Sequence, residues 1–169
     1  MTVETLHEKF VYELQQAYHI DTELVDVLAT LEESTADDEI SEQFQTHQRE
    51  SADHVRRLKR VFDMLDEEPE PRHSQAFEGI IEDRQAFLSE ATEETDLVDL
   101  YNVGTAMKIE RLEITTYEGL LNHAEQLNLP TEATELLEEN LDDEEATLRE
   151  LERTVDSSTV EQLLGRLAE

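Results

Sequence analysis

The 169-residue chain carries 44 Asp and Glu against 13 Lys and Arg, a formal net charge of -31, which sets it against a nucleic-acid phosphate backbone as partner. It has no cysteine, so a disulfide framework, a zinc-thiolate site and an iron–sulfur cluster are excluded, and no stretch approaches the roughly 18 apolar residues of a membrane span. Four glycines, three prolines and no alternating β-branched run point to an all-α protein, of a length that suits one domain with one sizeable core.

Only Lys9, Lys59 and Lys108 are lysines. Scarce lysine beside such an excess of acid reads as adaptation to a cytosol at molar salt, where screening offsets self-repulsion. The opening M-T-V-E-T-L-H-E-K has no basic leader followed by an apolar run, so the expected location is cytoplasmic.

In chain order, the first long helix is expected from about Thr5 to Glu32. Its apolar seam is Phe10, Leu14, Ala17, Leu24, Leu28 and Leu31, interrupted by Asp21. Thr35-x-x-Asp38 resembles a capping box for the second helix, about Asp38 to Asp66. Ile40, Phe44, Leu58, Val61 and Leu65 mark its seam. Through the middle that seam passes His47, Ser51 and His54, with Glu50 on the flank. Glu67 to Ser74 breaks the pattern, and a weaker helical stretch from about Gln75 to Ala91 follows. A connection of roughly 30 residues crosses the length of a bundle instead of turning back on itself.

The third long helix, about Asp96 to Gln126, has the seam Val103, Ala106, Glu110, Glu113, Tyr117, Leu120 and Ala124. Asn128-Leu129-Pro130 makes the turn, with Pro130 suited to the first position of the next helix. That fourth long helix, about Thr131 to Val155, is expected to bury Leu137, Leu141, Glu144, Leu148, Leu151 and Val155. Ser158-x-x-Glu161 then reads as the cap of a short C-terminal helix. The expectation is a single domain over 1–169: helices 1 and 2 in 1–66, a crossover in 67–95, helices 3 and 4 in 96–155, and a C-terminal helix or tail in 156–169.

Each long helix thus carries its core-facing polar residues near its middle. Asp21 and Glu50 lie about 15 residues either side of the first turn, and Glu113 and Glu144 about as far from the second, roughly 22 Å at 1.5 Å per residue. Asp21, Glu50, His54, Glu110, Glu113 and Glu144 would then meet in one cross-section. Carboxylates and imidazoles converging in a bundle core suit a pair of iron or manganese ions, with His47, Ser51 and Tyr117 placed to bond the ligands. The competing reading is a hydrated polar layer without metal, in which His47, His54 and Tyr117 bond the acids or Arg111 reaches in. His7, His19, His73 and His123 have no acidic seam around them and read as surface residues.

Four segments resemble the YciE/YciF-like proteins, stress-associated members of the ferritin-like superfamily. They are I-D-T-E-L-V-D-V-L in the first helix, H-Q-R-E-S-A-D-H-V-R-R-L in the second, K-I-E-R-L-E-I-T-T-Y in the third and L-L-E-E-N-L-D-D-E-E-A-T in the fourth. The resemblance covers roughly residues 8 to 155. It implies a ferritin-like four-helix bundle with a crossover, often dimeric, and a candidate di-metal centre. With the acids and His54 at one level, the expected function is a stress-response protein, a homodimer, that oxidises Fe(II) or handles peroxide or O₂ there. The alternative is a non-catalytic, metal-free dimeric stress-response bundle.

Overall fold

Side-chain acceptors and two left-handed turn residues fix where the helices begin and end. A computed structural model describes residues 2–91, 95–156, 161, 164 and 165. Its helices are α1 (Leu6–Glu33), α2 (Asp38–Met64), α3 (Gln75–Glu90), α4 (Thr95–Leu127) and α5 (Thr131–Val155). Thr5 and Glu8 form a reciprocal capping box at the start of α1, satisfying two amide groups that the helix itself leaves free. At α2 the cap is Asp37, which accepts from the amides of Glu39 and Ile40. Thr35, expected to form that cap, instead donates its hydroxyl to the Leu31 carbonyl, so it finishes α1. Pro130 stands just before α5 as its cap residue.

After α2 and α4 the chain reverses through Asp66 (φ 54°) and Asn128 (φ 52°). In both, the next amide reaches back five residues, Glu67 to the Phe62 carbonyl and Leu129 to the Ala124 carbonyl. This is the Schellman closure, with Asp and Asn in the place glycine usually takes.

Cross-helix contacts set the direction of each rod. The Asp99 carboxylate accepts from the amides of Ala36 and Asp37, which puts the start of α4 beside the α1–α2 turn. Lys9 near the start of α1 lies against His123 near the end of α4. Arg60 near the end of α2 pairs with Glu132 at the start of α5, and Gln43 near the start of α2 meets Thr154 at the end of α5. Helices α1 and α4 are therefore antiparallel, and α2 and α4 run the same way, which only a crossover permits. α3 belongs to that crossover and packs on α4. Buried Arg84 ties it down by donating to Asn102 and to Ser34.

The apolar core is in two halves. Phe10, Leu14, Leu58, Phe62, Leu120 and Leu137 anchor the half near the chain start, and Leu24, Leu28, Ile40, Phe44, Val103 and Ile109 the other. Between them lies a layer of buried polar side chains. The α5 stripe differs from the sequence expectation. Asn140, Thr147 and Thr154 are buried, whereas Leu141 and Leu148 are only half-buried and Val155 is exposed. The short C-terminal helix expected after residue 156 lies outside the described residues, apart from 161, 164 and 165. Among the described residues no helix is long and apolar enough to cross a membrane.

Most of the acids behind the net charge of -31 are on the surface, so their mutual repulsion should make the fold sensitive to salt. The screening length falls from about 10 Å at 0.1 M to about 3 Å at 1 M. Helical circular dichroism should therefore fall on dialysis from molar KCl to low salt. An unchanged spectrum would count against repulsion as a major destabilising force.

A candidate metal centre between two core halves

The layer is built at helical spacing. His47, Ser51 and His54 are buried at i, i+4 and i+7 on α2, and Glu110, Glu113 and Tyr117 at i, i+3 and i+7 on α4. α1 contributes Asp21 and α5 contributes Asn140 and Glu144, all fully buried. The flanking turns are leucine, phenylalanine and isoleucine, which hold the helices at core-packing distance and keep water out.

Glu144 is the hinge of the arrangement. Its Oε1 lies 2.9 Å from His54 Nδ1, and its Oε2 lies 3.7 Å from His47 Nε2. His47 Nε2 also approaches Glu110 Oε1 at 3.1 Å, and His54 Nδ1 approaches Asp21 Oδ1 at 3.2 Å. Two donor groups result, His47 with Glu110, Glu113 and Glu144, and Asp21 with His54 and Glu144. Within each, one ligand atom per residue lies within 4.8 Å of every other. Around them Tyr117 donates to Asp21 Oδ2 at 2.7 Å, and Asn140 donates to the Tyr117 hydroxyl at 2.9 Å. Arg57 binds both Asn140 Oδ1 and half-exposed Asp143, which touches the far nitrogen of His54 at 3.3 Å.

Buried polar atoms in proteins nearly always have a hydrogen-bond partner. Here both oxygens of Glu110, Glu113 and Glu144 and both ring nitrogens of His47 have none; the close approaches among them are not aligned as hydrogen bonds. Protonation manages the charge instead. Burial, and then the Glu144 carboxylate, push Glu110 and Glu113 well above the ordinary carboxylate range. Burial also raises Asp21, against the pull of His54. Burial opposes a charge on His54, but its hydrogen bond to Asp21 and the close Glu144 carboxylate outweigh that, and its pKa is pushed up to about 11. Burial opposes a charge on Glu144 too, and the two imidazoles hold it well below the ordinary range nonetheless. Without a cation, these shifts favour the ionised form of Glu144 against a protonated His54, and the protonated form of Glu110 and Glu113 beside them.

Of the residues expected in the site, Asp21, His54, Glu110, Glu113 and Glu144 meet at one level. Glu50 stands outside both donor groups. It is half-buried at the mouth of the layer, where its carboxylate accepts from Thr147. His47, expected to bond the ligands, has a ring nitrogen among the donors themselves. Ser51 donates to the His47 carbonyl in its own helix, and Tyr117 does bond a donor, Asp21. Arg111, in the competing reading, does not reach in: it is exposed and pairs with Glu152. Sequence reasoning missed Asn140, Asp143 and Arg57. Asn140 sits four residues before Glu144, a spacing that marks it as a neighbour on the same face.

The family model for DUF892, described as a domain of unknown function, matches residues 5–164. The chain is 30% identical over 148 residues to the protein YciF of Escherichia coli strain K12, covering 87% of this chain and 88% of that protein. Among solved structures it is similar to the E. coli stress protein YciF, with a TM-score of 0.83 and 29% identity over 90% of this chain and 95% of that one. It is also similar to YcfI of Rhodopseudomonas palustris, with a TM-score of 0.84 and 23% identity over 89% and 94% of the two chains, a likeness of fold alone. The ferritin-like bundle implied by the four motifs is thus the fold of this chain.

Proposed function

The chain belongs to the DUF892 family, and from that premise we propose that it is a ferritin-like stress-response protein whose buried layer holds two redox-active divalent ions, iron or manganese. The observation that carries the reading is Glu144, which shows one oxygen to each of two donor groups, as a carboxylate shared between two cations does. Charge supports it as well. Asp21, Glu110, Glu113 and Glu144, all ionised, balance two divalent ions with His47 and His54 as neutral ligands. A bound pair of this kind supplies one-electron chemistry for oxidising Fe(II) with O₂ or peroxide. The stress association comes from YciF, which bears that description itself.

The protein's own part is placement and proton handling. Tyr117 and Asn140 hold Asp21 in line, and the two apolar halves exclude water from the layer. To serve as ligands, Glu110, Glu113 and His54 each give up a proton. The His54 proton that leaves is the one on Nδ1, which faces Asp21 and Glu144, while Nε2 keeps its proton toward half-exposed Asp143.

Anaerobic Fe(II) titration followed by O₂ tests the proposal. Two Fe(II) per chain and an absorbance change on oxidation are expected in the wild type, with both lost in a Glu113→Ala, Glu144→Ala double variant. Binding no stronger in the wild type than in that variant rejects the site and leaves the metal-free bundle as the function. The proposal includes a homodimer, carried by the family resemblance alone; sizing in molar salt should give a dimer, not a 24-subunit cage.

A further inference from the structure

A third group of donors converges away from the buried layer: His19 on α1, His73 in the crossover and Glu78 in α3, with one ligand atom of each within 4.8 Å of the others. The sequence reading left both histidines as surface residues, but only His73 is exposed. The His19 side chain is 13% accessible, and its Nε2 is buried without a hydrogen-bond partner. Glu78 Oε1 lies 3.5 Å from His19 Nε2 and 3.6 Å from His73 Nε2.

Helix geometry explains the meeting. Ser74 caps α3, so His73 is the residue before the cap and Glu78 the fourth residue inside. In many helices an apolar pair touches at these two positions and fixes the angle of entry. Here the pair is an imidazole and a carboxylate, and His19 faces it from α1. The approach is held from several sides. The Arg72 amide donates to the Gln15 carbonyl, its Nε to Gln15 Oε1, and its guanidinium lies 4.2 Å from the centre of the Tyr12 ring. Gln16 donates to the His73 carbonyl. The His19 ring lies tilted against His73 at 5.4 Å and edge-on to Phe77 at 6.3 Å, which sets its orientation.

We propose that His19, His73 and Glu78 form a second metal site, for a borderline divalent ion of the zinc type, that staples the crossover to α1. Two imidazole nitrogens and one carboxylate oxygen select such an ion over magnesium or calcium, which prefer all-oxygen shells. At bond lengths of about 2.0–2.1 Å, tetrahedral donors sit about 3.3 Å apart. The two Glu78–imidazole separations close to that with a small rotation of the exposed His73 and half-buried Glu78 side chains. Three protein ligands leave a fourth position to water. The site shares no residue with the buried layer.

The test is a Zn(II) titration of the full chain against a chromogenic chelator, with excess Mg(II) occupying the carboxylate-only surface sites. Wild type is compared with His73→Ala, at an exposed side chain, and the near-isosteric Glu78→Gln, and circular dichroism checks that the fold is kept. The wild type should bind one Zn(II) more than either variant, and Zn(II) should protect His19 and His73 from diethyl pyrocarbonate. Equal stoichiometry and affinity in all three proteins, or unprotected histidines in saturated wild type, would overturn the proposal. Neither result bears on the buried layer, which both variants leave intact.

Discussion

Glu144→Leu should cost the metal-free protein about 3 kcal/mol, whereas Glu113→Leu should stabilise it by about 1–3 kcal/mol. The two carboxylates share one layer, are equally hidden from water and belong to the same donor group. They differ in what they face. Glu144 is ionised against His54 and His47, so its removal leaves a buried imidazolium short of a partner. Breaking a buried pair costs about 3–5 kcal/mol, and the low end applies because Asp21 still touches His54. Burial favours the neutral form of Glu113, and both its oxygens are unpartnered, so leucine removes an unmet desolvation penalty. Urea unfolding of metal-free protein at molar KCl reads both, provided the slope is unchanged. Both variants should lose the metal. A residue that weakens the fold and is nonetheless placed at its centre is what a ligand site requires, since the cation restores what the carboxylate takes away.

The second large effect is on pH. Glu110 and Glu113 have folded-state pKa values raised above their ordinary 4.5, so the folded protein keeps protons that the unfolded chain has lost. Their contribution to metal-free stability is fully present below about pH 4.5 and is lost as pH rises above it. His54 has the same sign, its contribution falling away between pH 6.5 and about 11. Glu144 is opposite: its contribution is present above 4.5 and lost in more acid solution. Metal-free stability should therefore decline from weakly acid to alkaline pH, and less steeply in Glu113→Leu than in wild type. Metal affinity should rise over the same range, because ions compete with those protons. Calorimetry at pH 7 in buffers of differing ionisation heat should show net proton release on filling both positions, drawn from His54 and from the carboxyls that burial raises, Glu110, Glu113 and Asp21. Release near zero would mean that the ions bind elsewhere.

How much of this was legible in the chain depended on whether apolar neighbours framed the polar residue. Asp21 sits between Ala17 and Leu24, and Glu110 and Glu113 between Ala106 and Leu120, so period alone placed them inward and all are buried. On α5 the leucines misled. Leu141 and Leu148 drew the stripe one position too far, because Asn140 and Thr147 are buried through partners on other helices, Tyr117 and Glu50, which no single-helix period reveals. Thr154 likewise meets Gln43. The same limit separates His47 from Glu50. Both lie near the α2 seam, and only the path of α5 across it decides which one faces Glu144. The His19 group was invisible for a further reason: its geometry is made by a docked loop, and docking has no periodicity.

Anomalous diffraction from a crystal soaked in Mn(II) tests the central claim most directly, since it locates cations without reference to activity. Two peaks in the layer are predicted, one among His47, Glu110, Glu113 and Glu144, the other among Asp21, His54 and Glu144, with Glu144 touching both. Peaks confined to surface carboxylates, with His54 still against Asp21 and Glu144, would contradict it.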